Sequence, residues 1–217
     1  MNRNILNRNV IIWLVVFCGL LLWSGWHPVD QFTWFLEVAP AVLALIALSV
    51  TRRRFPLTTF TYVWILIHCA ILMVGGKWTY AENPLFEWLK GPFGFERNNY
   101  DKLGHFFQGF VPALVLREVL VRCAVVNGRV WRDVLTVSFC LAVSAFYEFV
   151  EWWVALATAE GADAFLGTQG YVWDTQSDMW MAFCGAVCAV TLFARFSDAA
   201  IAGMRHNENF TGSSSGA

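Results

Sequence analysis

Six apolar runs, each bounded by polar or turn-forming residues, divide the chain, and each is long enough to cross most of a bilayer as a helix. They are Val10–Trp26, Trp34–Val50, Leu57–Gly76, about Leu103–Leu120, Val134–Thr158 and Asp174–Phe196. The first follows the basic stretch Met1–Asn9, as in a signal peptide. It ends Leu22-Trp23-Ser24-Gly25-Trp26 without a small-residue cleavage pattern, so it is expected to be retained. Pro40 and Pro112 fall inside the second and fourth runs and predict kinks there. Within the long connection Lys77–Tyr100, Asn83-Pro84 reads as N-cap and first position of a short helix through Lys90, closed by Gly91-Pro92. Leu85, Phe86, Trp88 and Leu89 make that helix apolar on one side, which suits an interfacial lid. The expected architecture is all-α: a bundle of six transmembrane helices forming one domain over residues 1–206, with a short interfacial helix in the third loop. Residues 207–217, polar and rich in Ser and Gly, are expected to be a disordered cytoplasmic tail.

Composition supports a polytopic membrane protein. The chain is 58% hydrophobic and only 14% charged, with 12 Trp among its 217 residues, a combination rare in soluble domains. A formal net charge of −1 and the lack of a basic stripe exclude nucleic acid as a partner and leave the lipid bilayer. Cys18, Cys69, Cys123, Cys140, Cys184 and Cys188 all fall in apolar segments or at the end of one, so they read as packing residues rather than a disulfide framework. Basic residues gather before the first run (Arg3, Arg8), after the second (Arg52, Arg53, Arg54) and around the loop after the fourth (Arg117, Arg122, Arg129, Arg132). In the third loop, Lys77, Lys90, Arg97 and Lys102 alternate with Glu82, Glu87, Glu96 and Asp101. The positive-inside rule then predicts both termini in the cytoplasm of a bacterial inner membrane.

The same pattern places chemistry. Asp101 and His105 are four apart at the start of the fourth run, Asp174 and Asp178 four apart at the start of the sixth, and Glu148 and Glu151 three apart in the fifth. Each pair therefore shares one helix face. His68 lies on a polar face with Thr58, Thr61 and Gly75. With cytoplasmic termini, Glu151 sits roughly 10 Å and His68 about 12 Å from the outer helix ends, so all these groups share one layer in the outer half of the membrane. An unpaired carboxylate at mid-membrane costs about 2.5–3.5 kcal/mol, so the acids require protons, cations or a metal. Oxygen ligands with imidazole and no thiolate suit Zn²⁺, Mn²⁺, Fe²⁺ or Mg²⁺. Asp101, His105, Asp174 and Asp178 are the expected metal ligands, with Glu148 or Glu151 as general base. His68, Lys102 and Gln108 are further polar groups, the backbone carbonyl of Gln108 being freed by Pro112. The spacing matches neither HExxH nor the di-iron Glu-x-x-His signature.

Tyr100-Asp101-Lys102-Leu103-Gly104-His105-Phe106-Phe107, Tyr147-Glu148-Phe149-Val150-Glu151-Trp152 and Trp173-Asp174-Thr175-Gln176-Ser177-Asp178-Met179, with the six-run layout, resemble the bacterial YjdF-type inner-membrane proteins over nearly the whole chain. That resemblance implies an integral inner-membrane protein and brings no activity with it. A weaker similarity is to VanZ-like membrane proteins, carried by Asp101, Lys102, His105, Phe106, Glu148, Asp178 and Gly185 in order. The chain departs from them in its second acid, Glu151, and in lacking a basic residue shortly before the final Asp. Two function classes follow from the residues. One is a metal-dependent enzyme acting on a lipid or lipid-linked substrate; the other is a non-enzymatic proton or ion conduit, or a scaffold, using the same acids as a relay or polar lock.

Overall fold

The computed structural model describes residues 3–158, 165–166 and 168–213, and the regular elements in them are helices. The long ones are α1 (Arg3–Gly25), α2 (Gln31–Thr51), α3 (Thr59–Lys77), α4 (Pro84–Phe93), α5 (Tyr100–Arg122), α6 (Arg129–Thr158), α7 (Asp174–Thr191) and α8 (Ala194–Ser213). Their starts follow from local chemistry. Asp30 caps α2 by accepting the Thr33 N–H at 2.6 Å, and this bond, foremost among its neighbours, holds the Asp30 carboxyl below its ordinary value. Thr58 caps α3 through the Thr61 N–H, and Asn83 caps α4 through those of Leu85 and Phe86. Gly94, left-handed at φ 65°, ends α4 with Gly94 N–H on Gly91 C=O and Phe95 N–H on Lys90 C=O, a Schellman closure.

Four helices, α1, α2, α3 and α6, are long and apolar enough to cross a membrane. The pair α7 and α8, bent by 54°, passes the same test together and makes a fifth crossing if counted as one. Helix α5 is not among them, and it carries Asp101, Lys102, Arg117, Glu118 and Arg122, yet among the described residues it buries more than any other helix. It is the central strut, with α3, α6 and α7 packed around it. Phe17, Met73, Phe110, Leu114, Cys140 and Ala186 fill the core, while Ile11, Leu43, Val63, Phe146 and Trp152 point outward, as a lipid-facing surface requires.

Helices α5 and α7 meet almost backbone to backbone. A Cβ on Gly109 would overlap the Ala182 carbonyl, and one on Gly185 the carbonyl of Phe106. Small residues at these crossings let two helices approach closely, which is how membrane helices associate without a hydrophobic driving force. The approach carries the start of α5 beside the start of α7.

Several boundaries differ from the sequence expectation. Arg117 belongs to α5 rather than to the following connection. It is fully buried and forms a two-pronged ion pair with Asp198 of α8 at 2.7 and 2.9 Å. Arg129 and Arg132 open α6 rather than preceding it. The short helix runs through Gly91-Pro92 to Phe93, because Gly94 supplies the left-handed stop. The sixth run breaks after Thr191, and α8 carries helix into the expected tail as far as Ser213, extension of an existing helix being easier than nucleation. Residues 214–217, like 159–164 and 167 of the last loop, lie outside the described residues. Helices α2 and α5 are each continuous through their prolines. All six cysteines are free.

Candidate functional site

Asp101 lies in the first turn of α5 and Asp174 in the first turn of α7, where the positive end of each helix dipole favours a carboxylate. The close α5–α7 crossing then brings Asp101, His105 and Asp178 together, each offering a ligand atom within 4.8 Å of the others. From α6, Glu148 and Glu151 reach the same imidazole, so that His105, Glu148 and Glu151 form a second group of the same tightness. His105 is the shared member, and it is buried with Asp101, Glu148, Asp174 and Asp178.

Cations hold part of this cluster. Lys102 Nζ contacts Asp174 at 2.9 Å, Asp178 at 2.5 Å and Asp101 at 3.4 Å. Arg97 pairs with Asp174 and approaches Asp101 at 3.6 Å. Asp174, expected as a metal ligand, is thus bonded to two side-chain cations. Tyr171 lies over both, 5.5 Å from the Arg97 guanidinium and 5.8 Å from the Lys102 ammonium. The loop that carries Tyr171 is pinned where Gln169 and Asn98 exchange side-chain-to-backbone hydrogen bonds at 2.9 and 3.0 Å.

The His105 ring has a defined orientation. Its Nδ1 lies 3.0 Å from Gln108 Oε1, an atom that only accepts, so Nδ1 donates to it. Nε2 faces Asp101 Oδ1 at 3.2 Å and Asp178 Oδ2 at 3.9 Å. That arrangement is repulsive unless Nε2 carries a proton or a metal ion lies between it and the carboxylates. Glu148 Oε1 adds the same demand, being buried and without a hydrogen-bond partner among the described residues. Gln108 thus contributes its side chain to the site, a contact the sequence did not mark. His68 is half-buried with Nε2 unpartnered among the described residues, its ring 6.5 Å from that of Phe107, and it joins neither ligand group.

Sequence reasoning missed Arg97, Glu37, Tyr80 and Tyr147. Glu37 of α2 is 7% exposed, and the charges acting on it most strongly are Asp101 and His105. Its signal was available: it is the one acid inside the apolar run Trp34–Val50. Tyr147 stacks edge-on to His105 at 6.3 Å. Beside the cluster, an open cleft of about 500 Å³ is lined by Phe95, Arg97, Lys102, Tyr171, Trp180 and Met181 among others. A smaller one of about 360 Å³ reaches Asp174 and Thr175.

A second buried polar cluster ties the other end of α5 down. Glu118 is fully buried and accepts from Thr58 N–H (2.8 Å), Thr58 Oγ1 (3.0 Å), Thr61 Oγ1 (2.7 Å) and Arg122 Nη1 (2.9 Å). Every strong acceptor position is used, so this carboxylate reads as a lock between α5 and the start of α3.

Residues 9–199 match the profile of a family described as a predicted membrane protein (DUF2238). The inner membrane protein YjdF of Escherichia coli (strain K12) is 51% identical over 181 residues, covering 82% of this chain and 85% of that protein. No solved structure matches.

Proposed function

Since the chain belongs to the DUF2238 family of predicted membrane proteins, we propose that it is an integral inner-membrane protein binding a divalent metal in a buried His–carboxylate site, as an enzyme acting on a lipid or lipid-linked substrate. The name of the E. coli relative supports the location. In this reading α5 is the fourth of six spans and the bent α7–α8 pair the sixth; the termini are cytoplasmic, and α4 lies in the outer interface. The exposed Leu85, Trp88 and Phe93 on α4 support that placement.

The observation that carries the metal reading is the group His105, Glu148 and Glu151, with ligand atoms within 4.8 Å and one Glu148 oxygen unpartnered. The competing group Asp101, His105 and Asp178 is the poorer ligand set, because Lys102 already neutralises both aspartates. Charge counting points the same way. Among the described residues, Glu37, Asp101, Glu148, Glu151, Asp174 and Asp178 have Arg97, Lys102 and one imidazole against them, so negative charge exceeds positive even with His105 protonated. A divalent ion offsets part of that excess and lowers the number of protons the site requires. Gln108 acts as the group that orients a metal-bound imidazole. His105, Glu148 and Glu151 would hold the ion, which would supply Lewis acidity toward a bound water. The cleft lined by Phe95, Tyr171, Trp180 and Met181 gives an apolar approach for a lipid chain.

Metal analysis of the protein purified in mild detergent tests this. About one metal per chain is expected in the wild type and loss of it in His105→Ala. Metal-free wild-type protein of normal stability would transfer support to the second reading, a proton relay. The 3.2 Å spacing of His105 Nε2 and Asp101 favours that reading, since a proton fits there.

A further inference from the structure

Glu37 lies outside both ligand groups, and nothing so far explains why α2 carries a buried acid with no ion pair among the described residues. It interacts electrostatically with groups of three other segments: Asp101 and His105 of α5, Tyr147 and Glu151 of α6, and Tyr80 of the turn after α3. Tyr80 presents its hydroxyl to the Glu37 carboxyl. Its ring occupies a slot that two glycines keep open. A Cβ on Gly75 would overlap the ring, and one on Gly104 would come within 2.9 Å of Cε1. Gly76 serves the acid in the same way, since a Cβ there would press on Glu37 Cβ at 3.2 Å.

The turn that delivers Tyr80 is itself unusual. Thr79 and Tyr80 have φ of 54° and 56°, two successive side-chain-bearing residues in the left-handed region. Such a conformation persists only where the surroundings over-determine it. Here the surroundings are the glycine slot, the edge-on ring of Tyr100 at 5.4 Å and the Glu37 carboxyl. The segment is shaped to place one hydroxyl at one point between α2 and the His105 cluster.

We propose that Glu37 and Tyr80 are positioning residues of the metal site. The Tyr80 hydroxyl orients Glu37, whose charge acts on the ion through Asp101 and His105 from outside the coordination sphere. The proposal rests on the metal reading and names the parts of the chain that support the site from the α2 side. Outer groups of this kind typically change metal affinity by about 10–100-fold when removed.

The test is titration of the full-length, chelator-stripped protein in detergent with Zn²⁺, comparing wild type, Glu37→Gln and Tyr80→Phe. Tyr80→Phe removes one oxygen and keeps the ring in its slot, so folding is preserved. Both variants are expected to bind Zn²⁺ about 10–100-fold more weakly. Thermal unfolding of their metal-free forms should match the wild type, and the Co²⁺ visible spectrum should shift. Glu37→Asp should recover part of the affinity. A merely structural pair would lower metal-free stability and leave affinity and spectrum unchanged, which would overturn the proposal. If Glu37→Gln does not fold, wild-type affinity in Tyr80→Phe alone overturns it. Zinc-binding wild type with unaffected variants sinks only this inference, whereas wild-type protein that takes up no metal sinks the metal reading with it.

Discussion

Two buried glutamates show what separates a structural acid from a chemical one at the scale of the residue. Glu118 receives four donors, one of them a guanidinium, whereas Glu148 has an oxygen with no hydrogen-bond partner among the described residues. Removing Glu118 strands Arg122 and three polar groups, so Glu118→Ala is predicted to destabilise by about 3–5 kcal/mol. Glu148→Gln keeps the shape and removes an uncompensated charge, so the metal-free protein should change by less than about 1 kcal/mol or gain stability. Denaturant unfolding in detergent compares them directly, and a greater loss from Glu148→Gln would reverse the two roles. The sequence marked Glu148, Glu151, Asp101, His105 and Asp178 because helical spacing pairs them visibly. It did not mark Arg97 or Tyr80, which reach the site from irregular segments where no periodicity operates, nor Glu118, whose threonine partners are about 60 residues away.

At the scale of the element, the α5–α7 crossing assembles the site. Gly109→Ala or Gly185→Ala would drive a methyl into a backbone carbonyl that cannot rotate aside. The predicted cost is about 1–3 kcal/mol or more, with metal binding lost as α5 and α7 separate. Wild-type stability and metal content in both variants would show that the crossing does not build the site. The Asp30 cap of α2 gives a milder prediction. Asp30→Ala should cost about 1 kcal/mol. Because the folded Asp30 carboxyl lies below its ordinary 3.8, the cap contributes fully above that pH and fades as pH falls through the lower folded value. A wild-type advantage over Asp30→Ala that persists undiminished at the lowest pH would contradict this. Elements were legible where apolar runs were uninterrupted. Helix ends were not, because Arg117 and Arg132 look like loop cations until burial and Asp198 explain the first. The break after Thr191 left no proline or glycine to read.

For the whole molecule, the repeating apolar runs gave the helical class, and their basic flanks gave an orientation that reporter fusions can check. A reporter active only outside the cytoplasm is predicted to function after Gly91 and Gly167 and to stay silent after Gly128; activity after Gly128 would invert the protein. The count of crossings was harder to read, since α5 is not among the helices apolar enough to stand as an isolated span and pairs its Asp101, Lys102, Arg117, Glu118 and Arg122 inside the bundle. Its position at the centre is what joins α2, α6 and α7 into one polar cluster. The claim that this cluster holds a metal is tested most directly by X-ray absorption at the metal edge of wild-type protein loaded with one equivalent of Zn²⁺. The predicted spectrum has only nitrogen and oxygen neighbours at about 2.0–2.2 Å with the scattering of one imidazole, and it loses that imidazole in His105→Ala. A sulfur shell near about 2.3 Å, or a spectrum unchanged by His105→Ala, would contradict it.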